Sequence, residues 1–315
     1  MKAVQFKAYG GTEKLFTVDL PRPEPAEHQL VVEVMATSIN PIDWKLHGGM
    51  LRWIKPLRFP SIPCFDIAGA VYATGPGAAD FVAGERVFGM MPIQAFGAAA
   101  EYAVIDSRLV ARMPETLSFQ EVAGLPLAGM TALQALRDQG KLQASRRLLV
   151  VGAAGGVGHY AVQLGKLMKA HVTGICSTRN VDWVGNLGAD KVVDYTQADD
   201  IADEEPFDVI LDAVTNQAFS HWRPVLAERG VYVSLLPTLD LGLQAVKLNI
   251  LSSQRIKLTV VKANRADLEY LAEIARQGLL RTVIDQVYSL DELGQALEKS
   301  RAGHARGKII VSIKQ

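Results

Sequence analysis

The stretch that most constrains this chain is an apolar run followed at once by a glycine-rich turn, residues 148–158. Four apolar residues in a row, 148–151, are typical of a strand buried on both faces of a parallel sheet. The glycines of 152–158 permit a tight turn and a close approach of backbone N–H groups to a ligand. Apolar residues then recur at helical spacing, so a helix is expected to follow. Such a strand, turn and helix can place N–H groups and a helix dipole around a pyrophosphate.

A glycine-rich string alone is weak evidence, and an ordinary tight turn between strand and helix is the alternative. The context favours a nucleotide site, because a second apolar strand, His171–Cys176, follows at the distance expected of a βαβ unit. We therefore predict that the cofactor phosphates contact Ala154, Gly155, Gly156 and Val157.

The bulk properties exclude several classes of protein. At 315 residues the chain is long enough for about two domains. Lys plus Arg equals Asp plus Glu at 33 each, so no net field favours nucleic acid or an anionic membrane. No apolar run approaches membrane-spanning length. The two cysteines, Cys64 and Cys176, cannot form a disulfide framework, and we expect a cytoplasmic location and neither nucleic-acid nor membrane binding.

The chain changes character along its length. Residues 1–117 contain short apolar runs separated by turn signals, which predicts a small barrel-like β domain. Ser118 and Glu121 form a capping box that begins a helical region. From residue 148 strands and helices alternate, as in a doubly wound parallel sheet. The tail, with a helix capped by Asp291 and a last strand near 308–313, is expected to complete the first domain.

The predicted class is therefore α/β, with a β-rich domain at 1–120 and 265–315 and a nucleotide-binding domain at 121–264. Six short motifs in this order resemble the medium-chain dehydrogenase/reductase superfamily, and within it the zinc-independent, zeta-crystallin-like quinone oxidoreductase branch. They are Asn40-Pro41-Ile42-Asp43, Phe65-Asp66-Ile67-Ala68-Gly69, Gly84-Glu85-Arg86-Val87, Ala128-Gly129-Met130-Thr131-Ala132, Gly155-Gly156-Val157-Gly158 and Gly307-Lys308-Ile309-Ile310. The resemblance implies a GroES-like domain, a Rossmann domain and an active site between them.

The chain departs from the zinc alcohol dehydrogenases of that superfamily at the places of their zinc ligands. Asn40 stands where they carry Cys, Phe65-Asp66 stands where they carry His-Glu, and Leu127 lies near the place of the last Cys. A catalytic zinc needs three converging protein ligands. We therefore expect no metal, and hydride transfer to an activated acceptor rather than alcohol oxidation.

The residues after the second strand bear on the choice of cofactor. NAD sites usually carry an acid at this point, whereas here Ser177, Thr178 and Arg179 follow Cys176. Two hydroxyls and a guanidinium favour a 2′-phosphate, and thus NADPH. The resemblance adds Tyr195 to this group. The alternatives are a solvated Arg179 and a Tyr195 that only packs against its neighbours.

Further cofactor contacts are expected from the ends of parallel strands and from the resemblance. Ala213, Leu235 and Leu236 follow strands whose carboxyl ends face the ligand in such folds. The resemblance implies Thr131 near the nicotinamide phosphate and Lys308 near the cofactor. Thr131 could instead bond its own helix, and a lone Lys at a strand start is usually solvated.

The candidate catalytic residues are Asn40 and Asp43. The Asn40 amide could bind the nicotinamide carboxamide or the substrate, or simply form the turn before Pro41; Asp43 is expected to fix the same loop. An apolar segment follows, and Trp44, Met50 and Trp53, with Ile54, suit a flat hydrophobic acceptor, although they could be ordinary core. Among the histidines only His47 lies near enough to be considered as a proton donor.

The sequence therefore predicts a zinc-independent, NADPH-dependent oxidoreductase that reduces quinones or α,β-unsaturated carbonyls. One alternative is a cofactor-binding protein without turnover, because fold does not fix function. The other is an enoyl-thioester reductase. The resemblance implies that such a reductase would carry a catalytic Tyr after the Asn-Pro segment, and Gly48-Gly49-Met50 at the comparable place disfavours this alternative. The resemblance also suggests a homodimer through the last Rossmann strand, residues 256–261.

Overall fold

The computed structural model describes residues 1–53, 55–93, 95–197, 201, 204–236 and 238–314. Its strands are β1 (Lys2–Phe6), β2 (Leu15–Asp19), β3 (Gln29–Ile39), β4 (Asp66–Thr74), β5 (Arg86–Met90), β6 (Tyr102–Asp106), β7 (Val110–Arg112), β8 (Arg147–Val151), β9 (His171–Cys176), β10 (Lys191–Asp194), β11 (Phe207–Asp212), β12 (Leu226–Ser234), β13 (Arg255–Leu258), β14 (Ile284–Ser289) and β15 (Lys308–Ser312). Its α-helices are α1 (Pro41–His47), α2 (Phe119–Ala123), α3 (Pro126–Gln134), α4 (Gly158–Leu167), α5 (Val181–Asn186), α6 (Phe219–Trp222), α7 (Leu239–Leu251), α8 (Arg265–Arg276) and α9 (Leu293–Arg301).

The chain forms two compact units. The first comprises Met1–Met130 and Lys262–Gln315, and the second comprises Thr131–Val261. The tail thus returns to the unit that the first third of the chain builds. The bounds given above for the two domains stay a prediction. Over the described ranges, none of the helices combines the length and apolar character needed to cross a bilayer.

The first unit is built around a largely antiparallel sheet in the order β14-β15-β3-β4-β5-β7, with β6 also paired to β3. The eleven-residue strand β3 pairs with β15 near its carboxyl end and with β6 near its amino end. In this register Ile309 lies opposite Ile39, and Ala68 lies opposite Ala36. The start of β15 and the start of β4 therefore flank the end of β3, where the polar residues of the site lie.

The second unit contains a parallel sheet in the order β10-β9-β8-β11-β12-β13. Counted from the first strand of this unit, the order is 3-2-1-4-5-6, which is the doubly wound order of dinucleotide-binding domains. The chain leaves β8 toward β9 and later returns to β11 on the other side, so the ligand-binding switch point lies at the end of β8. The predicted α/β class and Rossmann domain are confirmed.

The helix ends follow local sequence rules, with one correction. The capping box of Ser118 and Glu121 begins α2, as predicted: Ser118 N–H donates to the Glu121 carboxylate at 2.8 Å. The prediction that Asp291 caps the last helix is wrong. Ser289 forms the capping box with Glu292 there, a short 3₁₀ turn follows, and α9 begins only at Leu293. Ser289 is the cap residue instead of Asp291, because Glu292 stands three residues after Ser289 and its carboxylate accepts a hydrogen bond from Ser289 N–H.

Candidate functional site

The glycine turn after β8 has the backbone geometry of a phosphate cradle. Gly152 has a φ of +76°, a conformation that strains any residue with a Cβ atom. Gly158 stands directly over the turn: a Cβ atom on it would lie 2.8 Å from the Gly152 carbonyl carbon and 2.9 Å from the Ala153 Cα. The turn therefore depends on glycine at both ends.

The backbone donors of this turn suit an anion. Gly155 N–H closes the turn on the Gly152 carbonyl at 2.9 Å. Among the hydrogen bonds of the described chain, none uses the N–H groups of Gly156 or Val157, and Val157, the N-cap of α4, supplies no side-chain cap. These donors and the positive end of the α4 dipole can together bind a pyrophosphate.

The ends of β11 and β12 are held rigidly beside each other. The buried Asp212 accepts hydrogen bonds from Val214 N–H at 3.0 Å and Thr215 N–H at 2.7 Å, and its other oxygen accepts from the Tyr232 hydroxyl at 2.7 Å. Leu235 N–H donates to the Asp212 carbonyl at 3.3 Å. Asp212 thus orders the loop that carries Ala213, one of the predicted contacts, and holds it next to Leu235 and Leu236.

The residues predicted for a 2′-phosphate are brought together at the ends of β9 and β10. Tyr195 N–H donates to the Cys176 carbonyl at 3.1 Å, which places Tyr195 beside the segment from Ser177 to Arg179. Thr178, Arg179 and Tyr195 are exposed.

Sequence reasoning missed an acid at this point, Asp194. Its oxygens accept from Thr196 N–H at 3.0 Å, from the Thr196 hydroxyl at 2.7 Å and from Gln197 at 3.1 Å. The Asp194 carboxylate therefore stabilises the turn formed by residues 194–197. Its position at the end of β10, rather than after β9, kept it out of the count from the glycines.

In the first unit a buried polar cluster lies at the end of β3. The Asn40 Nδ2 donates to the Asp66 Oδ2 at 2.8 Å, and the Ser38 hydroxyl donates to the same oxygen at 2.5 Å. The Lys308 ammonium donates to the Asn40 Oδ1 at 2.6 Å and to the Ile39 carbonyl at 3.3 Å. The other Asp66 oxygen accepts from Leu127 N–H, beside the start of α3, at 2.8 Å.

Burial sets the ionisation of this cluster. It raises the pKa of Asp66 and lowers the pKa of Lys308, while the attraction between the two charges, 3.9 Å apart, opposes both shifts. Neither Ser38 nor the contact between Lys308 and Asn40 was found from the sequence.

Asp43 lies buried one turn into α1 and holds the Asn40 backbone. Its Oδ2 accepts from Asn40 N–H at 2.7 Å, and its Oδ1 has no hydrogen-bond partner in the described chain. Burial raises the pKa of Asp43 to about 8, against the lowering effect of the Asn40 N–H, and the nearby Asp66 raises it further. Asp43 is therefore mainly protonated at neutral pH.

His47, the candidate proton donor, is also buried. One ring nitrogen, Nδ1, donates to the Asp43 carbonyl at 2.8 Å, and the ring stacks on Phe6 at a centroid distance of 4.3 Å. Burial lowers the pKa of His47 to about 4, so the ring is neutral at pH 7. Its contacts are those of a packed core histidine.

The residues at the places of zinc ligands do not fit a zinc ion. Phe65 and Leu127 offer no side-chain ligand atom. The Asn40 and Asp66 oxygens are bound by an ammonium and by N–H and O–H donors. Across the described ranges, no group of three His, Cys, Asp or Glu side chains is arranged to hold a metal. The Lys308 ammonium already occupies the Asn40 oxygen that a metal ion would need as a ligand.

A groove of about 290 Å³ in the first unit contains two of the predicted acceptor residues, Trp44 and Met50. Its other lining residues are Phe6, Gly10, Gly11, Thr12, Lys45, Gly48, Leu297, Glu298 and Arg301. Trp44 also packs on the core of the unit, and its Nε1 donates to Ser300 at 3.2 Å. Met50 is 62% exposed; Trp53 is 87% exposed and does not line the groove, and Ile54 lies outside the described residues.

Two further predicted contacts lie on regular elements. Thr131 is buried in α3, at the first residue of the second unit. Lys308 is 2% exposed, at the start of β15. The structure thus places most of the predicted cofactor contacts at the strand ends of the second unit, and Asn40, Asp43 and Lys308 in a buried region of the first. Thr131 lies on α3, and the predicted acceptor residues belong to neither group.

Comparison with known proteins agrees with these features. Residues 26–115 match a family described as alcohol dehydrogenase GroES-like domain, and residues 187–311 match one described as zinc-binding dehydrogenase. A chloroplast envelope quinone oxidoreductase homolog of Arabidopsis thaliana is 37% identical over 99% of this chain and 98% of its own. A trans-enoyl reductase of Aspergillus terreus is 32% identical over 99% of this chain and 96% of its own.

A solved structure of Escherichia coli quinone oxidoreductase complexed with NADPH superimposes with a TM-score of 0.87, at 25% identity, over 99% of this chain and 100% of the other. The sequence relatives span almost the whole chain, both domain families match in the expected order, and the sheets have the corresponding topology. The chain belongs to the quinone oxidoreductase branch of the medium-chain dehydrogenase/reductase superfamily.

Proposed function

We propose that this protein is a zinc-independent oxidoreductase that uses NADPH to reduce quinones or α,β-unsaturated carbonyls. The observation that carries the proposal is the glycine turn of the second unit, whose Gly156 and Val157 N–H groups are open to a phosphate. The relatives support a nicotinamide cofactor and a quinone-type acceptor. The occupied oxygens of Asn40 and Asp66 support chemistry without zinc.

The binding roles follow from the strand ends of the second unit. The N–H groups around residues 154–157 would hold the pyrophosphate, and Ser177, Thr178, Arg179 and Tyr195 would surround the adenosine ribose and its 2′-phosphate. Ala213, Leu235, Leu236 and Thr131 would line the nicotinamide half. Bound NADPH would supply the hydride, so this chain has to orient the cofactor and exclude water.

In the first unit, Asn40 is the residue best suited to act on the acceptor. Hydride addition to a quinone or an enone places negative charge on the carbonyl oxygen, and an amide N–H can stabilise that charge. Asp43 fixes the Asn40 backbone. Trp44 and Met50 are the apolar candidates for contact with a flat acceptor, and they line a groove to which Asn40 itself does not contribute. We assign the proton of the product to solvent, because the His47 and Asp43 side chains are fully buried and each is hydrogen-bonded to the backbone of residues 40–43.

The test is NADPH oxidation by purified protein with a panel of quinones, enones and enoyl thioesters. We expect turnover with quinones or enones and no change in rate after treatment with a zinc chelator. Tight NADPH binding without oxidation against any acceptor would favour the cofactor-binding alternative. Turnover restricted to thioesters would favour the enoyl reductase alternative, which the Aspergillus relative supports.

The cofactor preference rests on the exposed Arg179. Replacing Arg179 by Ala should weaken NADPH binding by about 1.5–3 kcal/mol, because a charge-assisted hydrogen bond to the 2′-phosphate is lost. Binding of NADH, which has no such phosphate, should be nearly unchanged. Fluorescence titration of both cofactors measures the two effects. An equal loss for NADPH and NADH would show that Arg179 supports the fold rather than the phosphate.

We further propose that the protein forms a homodimer, in the cytoplasm, through the edge of the second sheet. Strand β13 is the last strand on its side of that sheet. Next to it, α7 buries Leu241, Ala245 and Leu248 and presents an opposite apolar face that includes Leu243 and Ile250, which are 73% and 76% exposed. An open strand edge beside an exposed apolar helix face fits a second copy of itself, because both are covered at once by a two-fold pairing.

Replacing both Leu243 and Ile250 by Glu should therefore yield a monomer. The charges would be buried without partners in the dimer but solvated in the free chain. Light scattering after gel filtration measures the mass. Replacing Val82, an exposed apolar residue of the first unit, by Glu is the matched control and should leave a dimer. A wild-type protein that runs as a monomer would disprove the assembly.

A further inference from the structure

The polar cluster at the end of β3 contains a buried cation, Lys308, whose side chain is almost completely covered. Its ammonium lies 2.6 Å from the Asn40 Oδ1 and 3.9 Å from the nearer oxygen of Asp66. Sheet register explains this meeting, because Lys308 directly precedes Ile309, the residue opposite Ile39. Burying a charge is costly unless it is paired and hydrogen-bonded. The chain retains it here beside a candidate catalytic amide.

The neighbours of Asn40 allow only one orientation of its amide. A lysine ammonium can only donate hydrogen bonds, so it must face the amide oxygen. An ionised carboxylate can only accept, so Asp66 must face the amide nitrogen, 2.8 Å away. The two groups on either side thus impose the same orientation, which turn formation alone would not require.

This orientation leaves a donor for the reaction. An amide nitrogen carries two hydrogens, and the bond to Asp66 uses one of them. The ammonium on the amide oxygen draws electron density from the nitrogen, which makes the second N–H a stronger donor. The ammonium–amide–carboxylate chain therefore leaves Asn40 with one polarised N–H that forms no hydrogen bond in the described part of the chain.

We propose that Lys308 is a positioning residue, which orients and polarises the Asn40 amide so that its second N–H binds the carbonyl oxygen of the acceptor. This inference rests on the proposed function. It assigns to a buried ammonium part of the work that a metal ion does in the zinc dehydrogenases: the cation acts on the acceptor through Asn40 rather than by direct coordination. Asp66 balances the charge and also binds Leu127 N–H beside the start of α3.

The experiment compares Lys308→Met, Lys308→Arg and the double variant Lys308→Met with Asp66→Asn. The double variant removes both charges, so it keeps the test valid if the single Met variant fails to fold. Lys299→Met is the matched control, because Lys299 forms a partly exposed ion pair with Asp285 in the same unit and takes no part in the cluster. Each variant is measured for kcat and KM with NADPH and a quinone, for NADPH affinity, and for thermal unfolding.

We expect the double variant to unfold near the wild-type temperature and yet to lose about 10- to 100-fold in kcat, with small changes in KM and NADPH affinity. Lys308→Arg should recover part of the kcat, since it restores a cation that can only donate. Recovery of both stability and kcat in the double variant would overturn the proposal, because a purely structural ion pair predicts that result.

A second readout separates this inference from the proposed function. In protein labelled with ¹⁵N at asparagine, the Asn40 side-chain amide, identified by its loss in Asn40→Ala, should shift and exchange faster in the double variant than in the wild type. An unchanged signal would refute the orienting role of Lys308. Absence of any turnover in the wild type, with the amide shift present, would refute the proposed function while leaving the orientation of Asn40 established.

Discussion

Replacing Gly158 by Ala is expected to weaken NADPH binding strongly. The added Cβ would lie 2.8 Å from the Gly152 carbonyl carbon and 2.9 Å from the Ala153 Cα, and both are backbone atoms that cannot rotate away. The turn would have to move off α4, and the N–H groups of Gly156 and Val157 would move with it. We expect a loss of about 1–3 kcal/mol in the free energy of unfolding and a fall in NADPH affinity of about 10- to 100-fold. Isothermal titration and urea unfolding measure the two effects.

The matched control is Gly185→Ala in helix α5. A Cβ atom at Gly185 would meet no other atom within 4 Å. This variant should bind NADPH like the wild type and gain about 0.5–1 kcal/mol in stability, because Ala loses less backbone entropy in a helix than Gly. If both Ala variants bound NADPH with wild-type affinity, the turn after β8 would not be the phosphate site.

The second unit could be predicted closely because its signals are local. The apolar runs predicted the strands, and β9 begins and ends at the predicted residues. The glycine turn predicted both the sharp reversal after β8 and the helix that follows. In a parallel sheet the order of elements and the ends of strands determine where the ligand binds, so residues such as Ala213 and Leu235 could be named without knowing any long-range contact.

The cluster of the first unit could be predicted only in part, because its members meet through long-range antiparallel pairing. The motifs pointed to Asn40 and Lys308 separately, but residues 268 positions apart become hydrogen-bonded only once β15 pairs with β3. No local pattern encodes that register. For the same reason, the sequence alone favoured a solvated Lys308, because a single Lys at the start of a strand is usually exposed. In the structure Lys308 is among the most buried side chains.

Replacing Asp43 by Asn should remove a large pH dependence of stability. In the folded protein burial raises the pKa of Asp43 to about 8, whereas an exposed Asp titrates near 3.9. Between these values the folded chain binds a proton that the unfolded chain has released. The contribution of Asp43 to stability is thus fully present below about pH 4 and is lost as the pH rises to about 8, at about 1.4 kcal/mol per pH unit.

Asn cannot titrate, and its amide oxygen can still accept the hydrogen bond from Asn40 N–H. The variant should therefore match the wild type near pH 4, where the carboxyl is largely protonated in both states, and become the more stable protein by several kcal/mol near pH 8, with a constant difference at higher pH. Urea unfolding at pH 4, 5, 6, 7, 8 and 9 measures the difference. Asp19→Asn, at an exposed position of β2, is the control and should follow the wild-type curve. Parallel curves for Asp43→Asn and the wild type would mean that Asp43 is ionised in the folded protein. In that case, its unpartnered Oδ1 would have to share its charge with a donor other than Asn40 N–H.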